Sequence, residues 1–310
     1  MTTRLSWIIQ ACLAAILTAC GQPESPTPAA GMPAEPAAPE IRKYSAEAFY
    51  QSTSYGLVGP AAHAFTADGN ALLMSSDQTG VFNAYRLPLD GSEPQQLTNS
   101  DDNAVFAVSW FPEDERILYT YDSGGNELNH VVVRELDGSN RDLTPGENLK
   151  AAFAGWSDDG AHFYVATTER NEQSFDLYRY SADDYERELI FENPGFLISA
   201  ISGDGRWLAL SRPRNSADSD IYVVDLSSDD PEPQLITAHD GNIEYSVFGF
   251  MADSRRLIYG TNEHGEFRQA WLHDLETGEQ SRFVAADWDV MYVNNSASGR
   301  YLTYGVNVDA

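Results

Sequence analysis

The stretch Ile201-Ser202-Gly203-Asp204-Gly205-Arg206 forms a turn rich in glycine, serine and aspartate. It leads into Trp207-Leu208-Ala209-Leu210-Ser211, whose β-rich, alternating pattern is typical of a strand. The same arrangement occurs six times, at intervals of 46, 45, 45, 49 and 45 residues when positions 69, 115, 160, 205, 254 and 299 are taken as equivalent. Such regularity indicates an array of repeated structural units.

Each copy continues in the same way. A strand such as Ile117-Leu118-Tyr119-Thr120-Tyr121 precedes a polar turn, and a third strand such as Asp220–Leu226 follows. Asp-Gly pairs such as Asp90-Gly91 then predict a hairpin turn into a short fourth strand. Four antiparallel strands per repeat are typical of a propeller blade. The sequence therefore predicts an all-β fold, a β-propeller of four-stranded antiparallel blades, five complete plus a partial sixth.

The predicted propeller spans residues 44–310. Its sixth blade has only two strands before Ala310, so we expect the propeller to be truncated at its C-terminal end. The segment 44–59 is a candidate for one of the two strands that this blade lacks. Residues 20–43 are rich in proline and alanine and poor in large apolar residues, which predicts a disordered tether.

The first nineteen residues have the pattern of an export signal. Arg4 precedes an apolar run that is too short for a good membrane span. The following Leu17-Thr18-Ala19-Cys20 resembles the lipobox of bacterial lipoproteins, which implies a lipid anchor at Cys20. We therefore expect a lipid-anchored protein of the cell envelope, on the periplasmic side of the outer membrane in a Gram-negative source. A cleaved signal with an incidental cysteine is the alternative.

The charge of the chain excludes some partners. Nineteen Lys and Arg residues face forty-seven Asp and Glu residues, giving a formal net charge of −28. Such a surface repels nucleic-acid phosphates and anionic lipids, so nucleic-acid binding is not expected. The six histidines show no metal-ligand spacing, and no acidic turn has a calcium-loop pattern. The sequence predicts no metal site and no cofactor.

The blade motif resembles two families. Apolar-Ser-x-Asp-Gly turns followed by Asp220-Ile221-Tyr222-Val223-Val224-Asp225-Leu226 are similar to the WD40-like (PD40) blades of the Tol-system propeller, TolB, and of the N-terminal propeller of S9 serine peptidases, the prolyl oligopeptidase and dipeptidyl peptidase IV-like group. The stretch Gly125-Asn126-Glu127-Leu128-Asn129-His130 resembles the peptidase side. That resemblance makes Asn126, Glu127 and His130 candidate channel or substrate contacts.

The resemblance implies a non-catalytic, substrate-gating propeller, present without the α/β-hydrolase domain that carries the serine in those peptidases. The chain contains no Gly-x-Ser-x-Gly motif, and no catalytic residue is expected in it. The nearest match, around Ser157, falls at the turn register of Ser202, where Asp159 opens a β-turn instead of a helix. The expected partner is a peptide substrate. The alternative is a free-standing TolB-like envelope propeller that binds a protein partner.

Overall fold

The computed structural model describes residues 41–296 and 298–309, in two units that divide between Tyr50 and Gln51. The first unit contains one short helix, α1 (Ala46–Tyr50), which no helical periodicity in the sequence predicts. No helix in the described part of the chain is long and apolar enough to cross a membrane. The predicted signal, Cys20 and most of the predicted tether lie outside the described residues.

The described residues of the second unit form six antiparallel sheets, in which consecutive strands pair. Sheet one contains β1 (Tyr55–Leu57), β2 (Ala71–Ser76), β3 (Asn83–Pro88) and β4 (Gln95–Gln96), and sheet two contains β5 (Val105–Trp110), β6 (Ile117–Tyr121), β7 (His130–Arg134) and β8 (Asn140–Asp142). Sheet three contains β9 (Ala151–Trp156), β10 (His162–Thr167), β11 (Asp176–Ser181) and β12 (Arg187–Phe191).

Sheet four contains β13 (Leu197–Ile201), β14 (Trp207–Asn215), β15 (Asp218–Asp225) and β16 (Gln234–Leu235). Sheet five contains β17 (Tyr245–Phe250), β18 (Arg256–Thr261), β19 (Gln269–Asp274) and β20 (Gln280–Val284), and sheet six contains β21 (Asp289–Asn295) and β22 (Leu302–Asn307). The sheets are the blades of a β-propeller. In the part of the chain that the structure describes, five blades of four strands and a sixth of two confirm the predicted fold.

Five apolar clusters lie between successive blades and form the core. Strand β6 shows the principle, because Ile117 belongs to the cluster shared with blade one and Leu118 to the cluster shared with blade three. Successive side chains of a strand point to opposite faces. A blade that packs between two others therefore needs apolar residues on both faces, at consecutive positions of its strands. Trp110 and Trp156 end equivalent strands and are buried.

The aspartates of the repeated turns have a local structural role. Asp159 accepts the N–H of Ala161 at 3.0 Å, and Asp204 accepts that of Arg206 at 3.0 Å. Such a side chain closes a turn over its own backbone, which explains why the turn recurs with aspartate. In blade two the carboxylate that does this belongs to Asp114, which accepts the N–H of Arg116 at 2.9 Å.

Strand pairing corrects two details. Phe65 is opposite Leu72, and Trp110 is opposite Ile117, which makes Asp114 and not Glu115 the counterpart of Gly69. The register predicted for blade two was therefore wrong by one residue. The segment 44–59 does not add a strand to blade six, because its strand β1 pairs with β2 in blade one.

Candidate functional site

The first strands of the blades lie at the centre of the propeller, and those of blades two to five share a β-bulge. In each of these strands, one residue located two positions before the strand end has no partner on the second strand. Such a bulge bends the strand and re-aims its side chains. The four bulge residues line cavities at the centre of the propeller and are Val108, Ala154, Ser199 and Phe248.

Blade one carries six residues where those blades carry one. Leu57 is opposite Met74, and pairing resumes at Ala64, whose carbonyl accepts the N–H of Leu73 at 2.8 Å. The residues between them, 58–63, are here called the insert. Pro60 has no N–H and a fixed φ, so a strand ladder cannot continue through it undisturbed.

The space at the centre of the propeller, between the first strands of the blades, is here called the channel. The insert lies between cavities at its opposite ends. Pro60 and Ala61 line a cavity of about 350 Å³ that extends to the ends of the first strands, around Trp156. At the other end, Ala61 and Phe153 line two clefts of about 490 Å³ and 440 Å³. The two clefts reach the beginnings of the first strands, so the tip of the insert lies between them and the cavity at the strand ends.

The two clefts are mainly apolar. Phe106 and Val108 line the larger cleft, and Phe175 and Phe196 line the smaller one. Around their mouths Phe106 is 43% exposed and Leu197 is 59% exposed. The larger cleft also includes two polar side chains, Thr120 and Asn129. Concave apolar surfaces with a few polar groups are typical of binding sites.

One buried hydroxyl anchors the C-terminal end of the insert. Ser109 Oγ accepts the backbone N–H of His63 at 2.9 Å and the indole N–H of Trp156 at 2.8 Å. It donates its own proton to the carbonyl of Trp110 at 2.7 Å. A hydroxyl has one donor and two acceptor sites, so all three are used. Ser109 thus connects the insert to blades two and three.

The three sequence-predicted contact residues lie between β6 and β7 and at the start of β7. Asn126 Oδ1 accepts the N–H of Leu128 at 3.0 Å, and the N–H of Glu127 donates to Asp122 Oδ2 at 2.8 Å. Both interactions shape the turn itself. None of the three residues lines the two clefts, so their role in substrate contact stays a prediction.

His130 faces its own blade, with Nδ1 located 2.8 Å from Asp142 Oδ2. The neighbouring Asn129 does line the larger cleft, and sequence reasoning missed it. Sequence reasoning also missed the insert and Ser109. The signal for the insert was the pair Gly59-Pro60, a strand breaker immediately before the first repeated turn.

Comparison with known proteins identifies the family. Residues 93–307 match the family model of the prolyl oligopeptidase N-terminal β-propeller domain. The chain belongs to this family. Dipeptidyl aminopeptidase BIII of Pseudoxanthomonas mexicana is 27% identical over 157 residues, which cover 49% of this chain and 23% of that relative. The match thus spans less than a quarter of the relative's length.

Solved structures share the fold of this prolyl oligopeptidase-type propeller. A prolyl endopeptidase structure aligns with a TM-score of 0.60 and 13% identity, over 81% of this chain and 39% of that one. Oligogalacturonate lyase in complex with manganese aligns with a TM-score of 0.62 and 16% identity, over 80% of this chain and 70% of that one. At these identities the likeness concerns the fold alone.

Within the described residues of this propeller, no three His, Cys, Asp or Glu side chains are arranged to hold a metal ion. Ser157, the nearest approach to a catalytic serine motif, lies in the turn after β9. Its hydroxyl donates to Asp159 at 2.6 Å and accepts the N–H of His162 at 3.0 Å. Ser202 makes the equivalent pair of contacts in blade four. Ser157 therefore has the geometry of a turn residue.

Proposed function

We propose that this chain is the non-catalytic, substrate-gating propeller of a serine peptidase of the prolyl oligopeptidase family. The observation that carries the proposal is the insert, which lines the central cavities of a propeller of this family at a position where blades two to five have a single bulge residue. A narrowed channel admits extended peptides and excludes folded proteins. The propeller then selects substrates by size before any chemistry takes place.

The clefts beside the insert supply the proposed peptide contacts. Their volumes, about 490 Å³ and 440 Å³, lie within the range of small-ligand sites. Phe106 and Phe153 offer apolar surface to side chains, and Asn129 can hydrogen-bond to a peptide backbone. The net charge of −28 attracts cationic peptides at long range. The favoured substrate is therefore an extended peptide with apolar side chains and no net negative charge.

Calorimetric titration of the purified chain tests this proposal. The probes are apolar peptides of graded length and a folded protein that carries the same sequence in an exposed loop. We expect the peptides to bind and the folded protein not to bind. Mass spectrometry should find every peptide uncut. Equal affinity for the folded protein, or hydrolysis by the chain alone, would contradict the proposal.

Lipid anchoring at Cys20 and location in the cell envelope are part of the same proposal. The support is the lipobox-like Leu17-Thr18-Ala19-Cys20, which lies outside the described residues. Metabolic labelling with an alkyne fatty acid should mark the membrane fraction of the wild type. Cys20→Ser should abolish the label, and Cys12→Ser should retain it because Cys12 lies within the predicted signal. Labelling that survives Cys20→Ser would contradict the anchor.

A further inference from the structure

The two ends of the insert are held differently from its middle. At the C-terminal end, the backbone of His63 donates to Ser109 Oγ at 2.9 Å and its carbonyl accepts the N–H of Trp110 at 3.0 Å. The imidazole of His63 also packs on the indole of Trp156, with ring centroids 5.7 Å apart. At the other end, Val58 packs against the apolar cluster between blades one and two.

The middle of the insert, Gly59, Pro60 and Ala61, is exposed. We call these three residues the tip. Within the described residues, the only hydrogen bond of the tip is local, from the N–H of Ala62 to the carbonyl of Gly59 at 3.2 Å. No hydrogen bond joins the tip to the channel wall in that part of the chain. The tip therefore depends on the ends of the insert for its position.

We propose that the insert is the gate of the channel and that Ser109 is the residue that holds it closed. This inference rests on the proposed gating function and adds the element that moves. Ser109 is fully buried, and its hydroxyl is the shared acceptor for the insert and for blade three. Loss of the hydroxyl leaves two donors without partners in a dry site. Opening hydrates the His63 N–H, so the balance shifts to the open state.

Thiol labelling measures the gate directly. Cys12 and Cys20 are the only cysteines of the chain, so Ala61→Cys in a full chain carrying Cys12→Ser and Cys20→Ser places a unique thiol on the tip. Ser92→Cys, on an exposed hairpin turn, gives a control thiol outside the channel. Each protein is reacted with N-ethylmaleimide and with a large polyethylene glycol maleimide.

At each position the labelling rate of the large reagent is divided by that of the small reagent. We expect this ratio to be lower at position 61 than at position 92. Ser109→Ala should raise the rate of the large reagent at position 61 by about tenfold, as the loss of a buried hydrogen bond implies. Ser157→Ala, which removes another buried hydroxyl without touching the insert, should leave that rate unchanged. An unchanged rate in Ser109→Ala would overturn the gate anchor.

The two proposals fail in different ways. If the large reagent reacts freely at position 61 while the native Ser109 is present, the gating function itself is wrong. If exclusion holds but Ser109→Ala has no effect, only the anchor is wrong. Hydrogen exchange on the unmodified chain adds a second measurement that does not require a variant to fold. The amides of His63 and Trp110 should exchange together and faster than that of Leu73, and equal protection of all three would count against the gate.

Discussion

The imidazole Nε2 of His239 lies 2.9 Å from Asp218 Oδ1, while Nδ1 of the same ring lies 2.8 Å from the carbonyl oxygen of Thr237. Both partners are acceptors, so both ring nitrogens donate and the imidazole carries a positive charge. The ring is 1% exposed. The Thr237 carbonyl raises the pKa of His239 above its ordinary 6.5, and Asp218 and Asp220 add to the effect.

The charged groups around His239 favour this state. Arg214 pairs with Asp220 at 2.6 Å and lies 3.6 Å from Asp218, so one arginine and one imidazolium balance the two carboxylates. On the neighbouring blade, the ring of Tyr245 lies 5.2 Å from the imidazole, and its hydroxyl donates to Glu263 at 2.7 Å. Loss of the imidazolium proton would leave two buried carboxylates with a single cation.

We expect the stability contributed by His239 to be complete below pH 6.5 and to be lost as the pH rises through the raised pKa of the folded state. The free energy of unfolding of the wild type should exceed that of His239→Gln most at acidic pH, and the difference should shrink at alkaline pH. Urea unfolding across a pH series measures it. A difference that grows with pH would show that the imidazole is neutral in the fold.

His63 provides a test of the opposite sign. Burial lowers its pKa below 6.5, so the folded state disfavours the charged imidazole. Wild type should therefore lose stability relative to His63→Gln as the pH falls below 6.5, since the unfolded chain takes up the proton first. The same urea series measures this difference. Two histidine variants with the same pH trend would contradict at least one of the two assignments.

The repeat could be predicted from the sequence because each blade encodes its turn locally. Asp68, Asp159 and Asp204 each accept a backbone N–H two residues later, so the fold leaves a short-range mark in every copy. The pairing of His239 with Asp218 leaves no such mark, because 21 residues separate them and their contact depends on how the loop after β16 packs against the start of β15.

The insert was equally hidden. A strand of three residues, β1, precedes it, and only the pairing of β1 with β2 shows that residues 58–63 have no partner. The bulges that mark the same position in blades two to five depend on strand register, which sequence periodicity determines to within one residue at best, as the displaced register of Glu115 shows. The residues that line the channel could therefore be identified only from the structure.

Tyr185 connects blade three to blade two through its hydroxyl, which accepts a hydrogen bond from Arg116 at 2.7 Å and donates one to Glu135 at 2.9 Å. Burial raises the pKa of Tyr185 to about 12, so the hydroxyl stays protonated and able to donate. We expect Tyr185→Phe to lower the free energy of unfolding by about 1 to 2 kcal/mol. Tyr301→Phe, at a residue that is 62% exposed, is the control and should have little effect. Urea unfolding decides the matter, and equal effects of both variants would exclude a role for the hydroxyl.

Ser157→Ala should lower the stability of the fold and have no effect on peptide cleavage. The variant loses the contacts of Ser157 Oγ with Asp159 and with the His162 N–H, and we expect it to lose about 1 kcal/mol of stability. Chromogenic peptidyl substrates should stay uncut by the wild type and by the variant. Cleavage by the wild type that disappears in Ser157→Ala would make Ser157 a nucleophile and would overturn the turn assignment.

Two glycines at the same turn register separate backbone strain from steric conflict. Gly69 has φ of +72° and open space at the position of a Cβ, whereas Gly205 has φ of +73° and would place a Cβ against the hydroxyl of buried Tyr164. Gly69→Ala should therefore cost only the strain of a left-handed residue, about 1 kcal/mol. Gly205→Ala carries the same strain and adds the clash, so it should be distinctly more destabilising.

Tyr164→Phe removes the hydroxyl and should bring the cost of Gly205→Ala close to that of Gly69→Ala in a double-mutant cycle followed by urea unfolding. Equal costs for the two glycine variants in the wild-type background would show that the Tyr164 hydroxyl moves aside freely. The inference that blades three and four pack too closely at this turn to admit a Cβ would then be wrong.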